Sequence, residues 1–272
     1  MSSYREFRFG WPVVLSSMLG IALGLSPLPF YTIGVIAGPL AQEFGWGIDT
    51  VLSGLAVFTL TTMAATPTIG AVSDRIGVRR VALTSIFLFS LSFMAFALNN
   101  GSLTLYYALW VIMAICGAGT LPITFTRAIS NWFNLKRGLA LGMALIGTGI
   151  AGAMVKLLSA AVTAEYGWRA AYIVVGLLPL CIAFPVGLVF FRDVDDPKAA
   201  HRARQLQTLH SGSSETAPVY GLTLGQALRD WRFWLLALLF GPLSFAIGGP
   251  IPNMETLYRS ISSLQLAVFL RV

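Results

Sequence analysis

GAVSDRIGVRR, residues 70–80, is the stretch on which the reading of this chain turns. It packs Asp74 and three arginines, Arg75, Arg79 and Arg80, around and beyond two glycines, Gly70 and Gly77. The chain on either side is very apolar: 56% of its 272 residues are hydrophobic and only 11% are charged. An ordinary globular domain is about a quarter charged. A soluble domain of this size has too little interior to hide so much apolar surface. The cluster therefore reads as a short polar connection between two membrane-crossing helices.

A crossing helix needs about 20 mostly apolar residues. Seven runs meet that length: residues 11–40, 50–72, 81–98, 103–126, 139–163, 170–191 and 233–251. They are too long and too uniformly apolar for the alternating strands of a barrel. The expected fold class is an all-α membrane protein, a polytopic helical bundle. Six helices (1–191) precede a polar segment (192–222) that contains HSGSSETAPV and cannot bury a core. Residues 223–272 then hold a short interfacial helix, with capping-box spacing at Thr223 and Gln226, the seventh helix and a tail.

In a soluble protein a net charge of +7 would point to a nucleic-acid partner, but its distribution here argues for topology instead. Basic residues cluster at Arg5 and Arg8, at Arg75, Arg79 and Arg80, and at Arg127, Lys136 and Arg137. A further group runs from Arg192 to Arg232. All of these fall on one side of the bundle. The opposite loops carry Arg169 beside Glu43, Asp49 and Glu165. The expectation is a multi-pass protein of the plasma (inner) membrane, with a cytoplasmic amino terminus and linker and the lipid bilayer as its principal partner. Two outer loops, EFGW (43–46) and EYGW (165–168), read as aromatic anchors at the headgroup level.

Enzyme signatures are missing. The two histidines, His201 and His210, lie in the linker, and Cys116 and Cys181 lie inside apolar runs. Neither a phosphate loop nor a zinc-binding His-Glu-x-x-His is present. No catalytic site, cofactor, metal or nucleic-acid partner is expected. GTGIAG (147–152) spells a dinucleotide fingerprint, but it lies within an apolar run with no preceding strand. Gly138, Gly142, Gly147, Gly149 and Gly152 read instead as helix-packing glycines.

In the loop itself, Gly77 suits a tight reversal and Gly70 a close helix approach. Asp74 falls near a helix end, where it can pair with arginine. A basic cytoplasmic loop accounts for Arg79 and Arg80 but not for Asp74 or the spaced glycines.

The pattern G-x-x-x-D-R-x-G-x-R-R on Gly70, Asp74, Arg75, Gly77, Arg79 and Arg80 resembles the signature loop of the major facilitator superfamily of secondary transporters. The resemblance implies two six-helix halves moving by alternating access. It also implies that this loop is a latch closing against a helix of the second half. Helices 8 to 12 are then expected beyond Val272, and a missing carboxy-terminal half is expected to be needed for activity. RAISNWFNLKRGLALGMALIGTGIAG (127–152) is similar to the monocarboxylate and oxalate–formate branches, which implies a small organic anion as solute. The fourth run lacks a mid-helix arginine, and the fifth has Gly147-Thr148-Gly149 where drug/proton antiporters carry a Gly-Pro pair. The alternative reading is a truncated membrane fragment that does not transport.

Four residues are substrate-cavity candidates. Lys156 is a cation inside an apolar run, about 10 Å from its outer end at 1.5 Å per residue. It snorkels to the surface, forms a buried pair, or faces an anion. Arg127, at the inner end of the fourth run, is either a topology charge or a gate contact. Tyr31, just past Pro27 and Pro29, and Asn253 are able to hydrogen-bond a carboxylate, and the resemblance places helices 1, 4 and 7 at the central cavity. No acidic residue lies mid-span in the first six runs, so a residue coupling a co-transported proton would lie in the missing half.

Overall fold

The computed structural model describes residues 3–133, 135–191 and 229–248. No strand occurs among them. The chain divides into two compact units, Met1–Leu206 and Gln207–Val272. The linker, the interfacial helix with its capping pair, and Asn253 lie outside the described residues.

The first unit is a six-span helical bundle. Its helices are α1 (Ser3–Ala22), α2 (Leu28–Phe44), α3 (Ile48–Ile76) and α4 (Val78–Met94), followed by α5 (Leu103–Gly117), α6 (Pro122–Trp132), α7 (Arg137–Leu178) and α8 (Phe184–Phe190). By length and composition, four helical stretches among the described residues are apolar and long enough to cross a membrane. The sequence reading of six spans reconciles with that number in two places. The first run is broken at residues 23–27 into α1 and α2, where Pro27 and Pro29 lack N–H donors. The fifth and sixth runs are joined as one 54-residue helical stretch, 137–190.

That stretch is two spans. Gly167 has φ 81° and ψ 170°, a conformation outside the helical region. Before it, Gly147 lies against Met18, Gly152 against Tyr31, and Trp168 just beyond it meets Phe44. After it the contacts run back: Tyr172 with Phe93, Gly176 with Met94, Gly187 with Leu83, and Phe190 with Trp11. A π-helical turn, Pro179–Ala183, joins α7 to α8.

The fourth run is also broken. α5 ends in a 3-10 turn, Ala118–Thr120, before Pro122 starts α6. Aromatic rings gather toward the end that carries Glu43 and Trp168. There Phe96, Tyr106, Trp110 and Tyr172 meet ring to ring at 5.1–6.1 Å. Tyr106 Oη donates to Val51 O at 2.7 Å, satisfying its buried hydroxyl.

In the second unit, α9 (Trp231–Gly248) covers most of the seventh run. Trp231 and Trp234 are exposed, and Trp234 packs edge-on to Phe233 at 5.6 Å.

Candidate functional site

At the basic end of the bundle, α3 stops at Ile76 because Gly77 turns the chain. Gly77 has φ 90° and ψ 145°, and its N–H still donates to Ser73 O at 3.1 Å. The reversal is complete within one residue, since α4 begins at Val78. Asp74 and Arg75 occupy the last turn of α3. Arg127 of α6 donates through Nη1 to Asp74 Oδ1, and both side chains are about half exposed (50% and 58%). A pair so open to solvent contributes about 0–1 kcal/mol. Its significance is positional: it ties the ends of spans 2 and 4 together.

The other basic residues act on helix ends. The last carbonyls of a helix have no donor within the helix. Arg79 Nη2 donates to Leu188 O at 2.8 Å, near the end of α8. Arg137 Nη2 donates to Ser130 O at 2.9 Å, near the end of α6. Arg75 and Arg80 are exposed. Gly70 differs from expectation: among the described residues nothing lies within 4 Å of a Cβ built there. Its side of α3, with Leu60, Met63, Ala64, Pro67 and Ala71, faces away from the bundle.

Midway along the bundle, Tyr31 is half-buried and its ring lies on Gly152, so close that a Cβ there would sit 2.3 Å from Cε2. Lys156 follows one turn later on α7. It is half-buried and makes no hydrogen bond or ion pair among the described residues. About 16 Å of helix separates it from the Gly167 break. The five glycines of this segment divide. Gly147 and Gly152 are buried against Met18 and Tyr31. Gly138, Gly142 and Gly149 are exposed and meet no described neighbour, because they sit on the outward side of α7. Helix packing is thus made at two of the five.

At the opposite end, the tryptophans of the two aromatic loops expected as headgroup anchors pack against other rings, while Tyr166 stands exposed. Trp168 is buried, 4% exposed, and Trp46 is half-buried against Phe44 and Tyr106. Trp168 Nε1 donates to Glu43 Oε2 at 2.5 Å. Arg169 Nη1 donates to Glu43 Oε1 at 2.6 Å, and its Nη2 to Asn99 O at 3.3 Å. The guanidinium also lies over the Trp168 ring at 4.3 Å. The Trp168 and Arg169 donors hold the Glu43 carboxyl below the usual carboxylate range. Glu43 lies beyond the apolar run 11–40, so this clamp ties the ends of spans 1 and 6 to the loop after α4. The sequence signal was present in the repeated Glu-aromatic-Gly-Trp pattern, with both glycines at positive φ.

Residues 19–270 match the model of the Major Facilitator Superfamily. A 38 kDa protein encoded in the 23S RNA operon of Thermoproteus tenax is 29% identical over 88% of this chain and 54% of its own length. Human monocarboxylate transporter 11 is 28% identical over 71% of this chain and 41% of its own. A probable sulfoacetate transporter, SauU, of Cupriavidus necator is 27% identical over 82% and 44%. The chain spans about half the length of the curated relatives it matches. With its helical spans, its Gly70–Arg80 loop and a family match along nearly its whole length, the chain belongs to the major facilitator superfamily.

Proposed function

We propose that this chain forms the amino-terminal half, with helix 7, of a secondary or facilitative transporter for a small organic anion of the monocarboxylate class. Transport proceeds by alternating access, in the plasma (inner) membrane, with the amino terminus cytoplasmic. The observation that carries the reading is Lys156: a half-buried cation within an apolar span, without a partner among the described residues. A cation in that setting is costly, and an anionic solute supplies the missing counter-charge. Tyr31, on Gly152 one turn away, offers a hydroxyl to the same carboxylate. Relatives named as monocarboxylate and sulfoacetate transporters support the solute class.

The test is uptake of labelled lactate into proteoliposomes by this chain and by Lys156→Gln. Saturable uptake that falls at least about tenfold in the variant is expected, since the removed charge would contribute more than about 1.4 kcal/mol to binding. Uptake by Lys156→Gln with unchanged affinity and rate would remove Lys156 from the site. The relatives are about twice as long, so the second arm repeats the assay with a carboxy-terminal half co-expressed. Uptake only in that arm would favour the reading in which the chain alone does not transport.

A further inference from the structure

Spans 1 and 4 are both broken partway along, and one hydroxyl serves both breaks. In span 1, Gly24 N–H turns back to Ile21 O at 3.3 Å, and Leu25 N–H leaves the helix to donate to Thr120 Oγ1 at 2.8 Å. In span 4, Leu121 N–H turns back to Ala118 O at 3.3 Å, and Thr120 Oγ1 donates to Gly117 O at 2.7 Å. A hydroxyl has one donor and two acceptor sites, so both bonds form at once. Leu25 and Thr120 are fully buried. Inside a lipid-embedded bundle no water replaces a lost backbone partner, so the bond from Leu25 is expensive to break. Only glycine fits beside it: a Cβ at Gly24 would sit 2.6 Å from Gly20 O and 2.9 Å from Thr120 Oγ1.

Below the pin, the half-helices α1 and α6 are zipped together. The Phe125 ring fills the space over Gly20, and the Phe133 ring the space over Gly10. The contacts run in opposite order along the two helices, so α1 and α6 are antiparallel neighbours. α6 also carries Arg127, the partner of Asp74.

We propose that the Thr120 hydroxyl is a positioning group: it holds the breaks of spans 1 and 4 at one pivot, so that α1 and α6 bend together when the basic end of the bundle opens. The proposal deepens the transport reading and rests on its alternating-access motion. Bending of either span alone would strand the Leu25 N–H. Joint bending preserves both bonds and is taken up at the basic end, where Arg127 meets Asp74, Arg137 meets Ser130 and Trp11 meets Phe190.

The test uses the full chain in nanodiscs, with Cys116→Ala and Cys181→Ala as background and spin labels at Phe9→Cys and Asn131→Cys. Pulsed electron resonance then reads the α1–α6 distance distribution. A second pair, Leu98→Cys and Tyr166→Cys, reports on the opposite end. Thr120→Val is expected to broaden the first distribution about twofold or more and leave the second unchanged, whereas Thr120→Ser keeps both narrow. Thr120→Ala, which removes the hydroxyl and leaves a smaller side chain, should broaden the first pair alone, and it carries the test if Thr120→Val does not fold. Wild-type width at the first pair in the folded variant, equal broadening by Thr120→Ser, or equal broadening at both pairs would each overturn the pivot. Lactate uptake is measured in parallel. Absence of uptake both by the chain alone and with a co-expressed carboxy-terminal half counts against the transport reading, while the distances still decide the pivot.

Discussion

Arg127 and Asp74, 53 positions apart in the chain, form an ion pair that joins α6 to the last turn of α3. The family resemblance assigns Asp74 a partner in the second half of a transporter. The pair with Arg127 gives it one within its own half. Asp74→Asn is therefore expected to cost this chain at most about 1 kcal/mol, the ordinary limit for a solvent-exposed pair. Thermal unfolding of Asp74→Asn, Arg127→Gln and the double variant in detergent measures the coupling. A coupling energy well above about 1 kcal/mol would mean that the pair is more shielded than its exposure indicates.

Much of this fold was readable because apolar runs of spanning length leave few alternatives. The same property concealed the breaks. Leu23–Pro27 and Ala118–Leu121 are as apolar as the helices around them, so only Pro27, Pro29 and Pro122 marked where the ladders fail. The Asp74 loop was legible because charge is rare in this chain. That Asp74 can pair with an arginine is legible; that the arginine is Arg127 is not, since the two are 53 positions apart and meet only once the helices lie side by side. Trp168 was misjudged for a related reason. Aromatic residues near a membrane surface suit either a lipid anchor or a clamp, and the difference lies in whether Glu43 comes within reach of the indole N–H.

Gly54 is expected to be among the least tolerant glycines. Trp110 is packed edge-on by Phe58, Phe96 and Tyr106, and a Cβ on Gly54 would lie 2.2 Å from its Nε1. The indole has no free direction in which to yield. Gly54→Ala should destabilise the bundle by about 1–3 kcal/mol through overpacking. Melting followed by tryptophan fluorescence in detergent reads this, and an unchanged midpoint would show that the ring relocates freely.

On α7, two glycines two positions apart should respond with opposite sign. Gly147→Ala places a methyl 2.7 Å from Met18 Cγ and 3.0 Å from the Met18 carbonyl oxygen, and a backbone atom cannot move aside like a side chain. It should lose about 1–3 kcal/mol. Gly149→Ala meets open space among the described residues and should gain up to about 1 kcal/mol from helix propensity alone. Equal effects in the purified chain would remove the distinction between the two sides of α7. A loss at Gly149 that appears only with a co-expressed second half would identify its side as the one that half covers.

The Glu43 clamp makes a pH-dependent prediction with a definite sign. The Trp168 N–H first, and then the Arg169 guanidinium, stabilise the carboxylate and depress its pKa in the folded chain. A depressed folded value means that the stabilisation is fully present above the unfolded pKa and is lost as pH falls through the folded one. Glu43→Gln keeps an oxygen for the indole but loses the charge. Its deficit in melting midpoint should therefore stay constant from about pH 7 to about pH 5, then shrink below about pH 4 as the wild-type carboxylate protonates. Glu43→Ala should cost more at every pH, about 1–3 kcal/mol, because the Trp168 N–H is left without its acceptor in a buried site. A Glu43→Gln deficit that stays the same down to about pH 3 would place its origin in packing and not in the charge on the clamp.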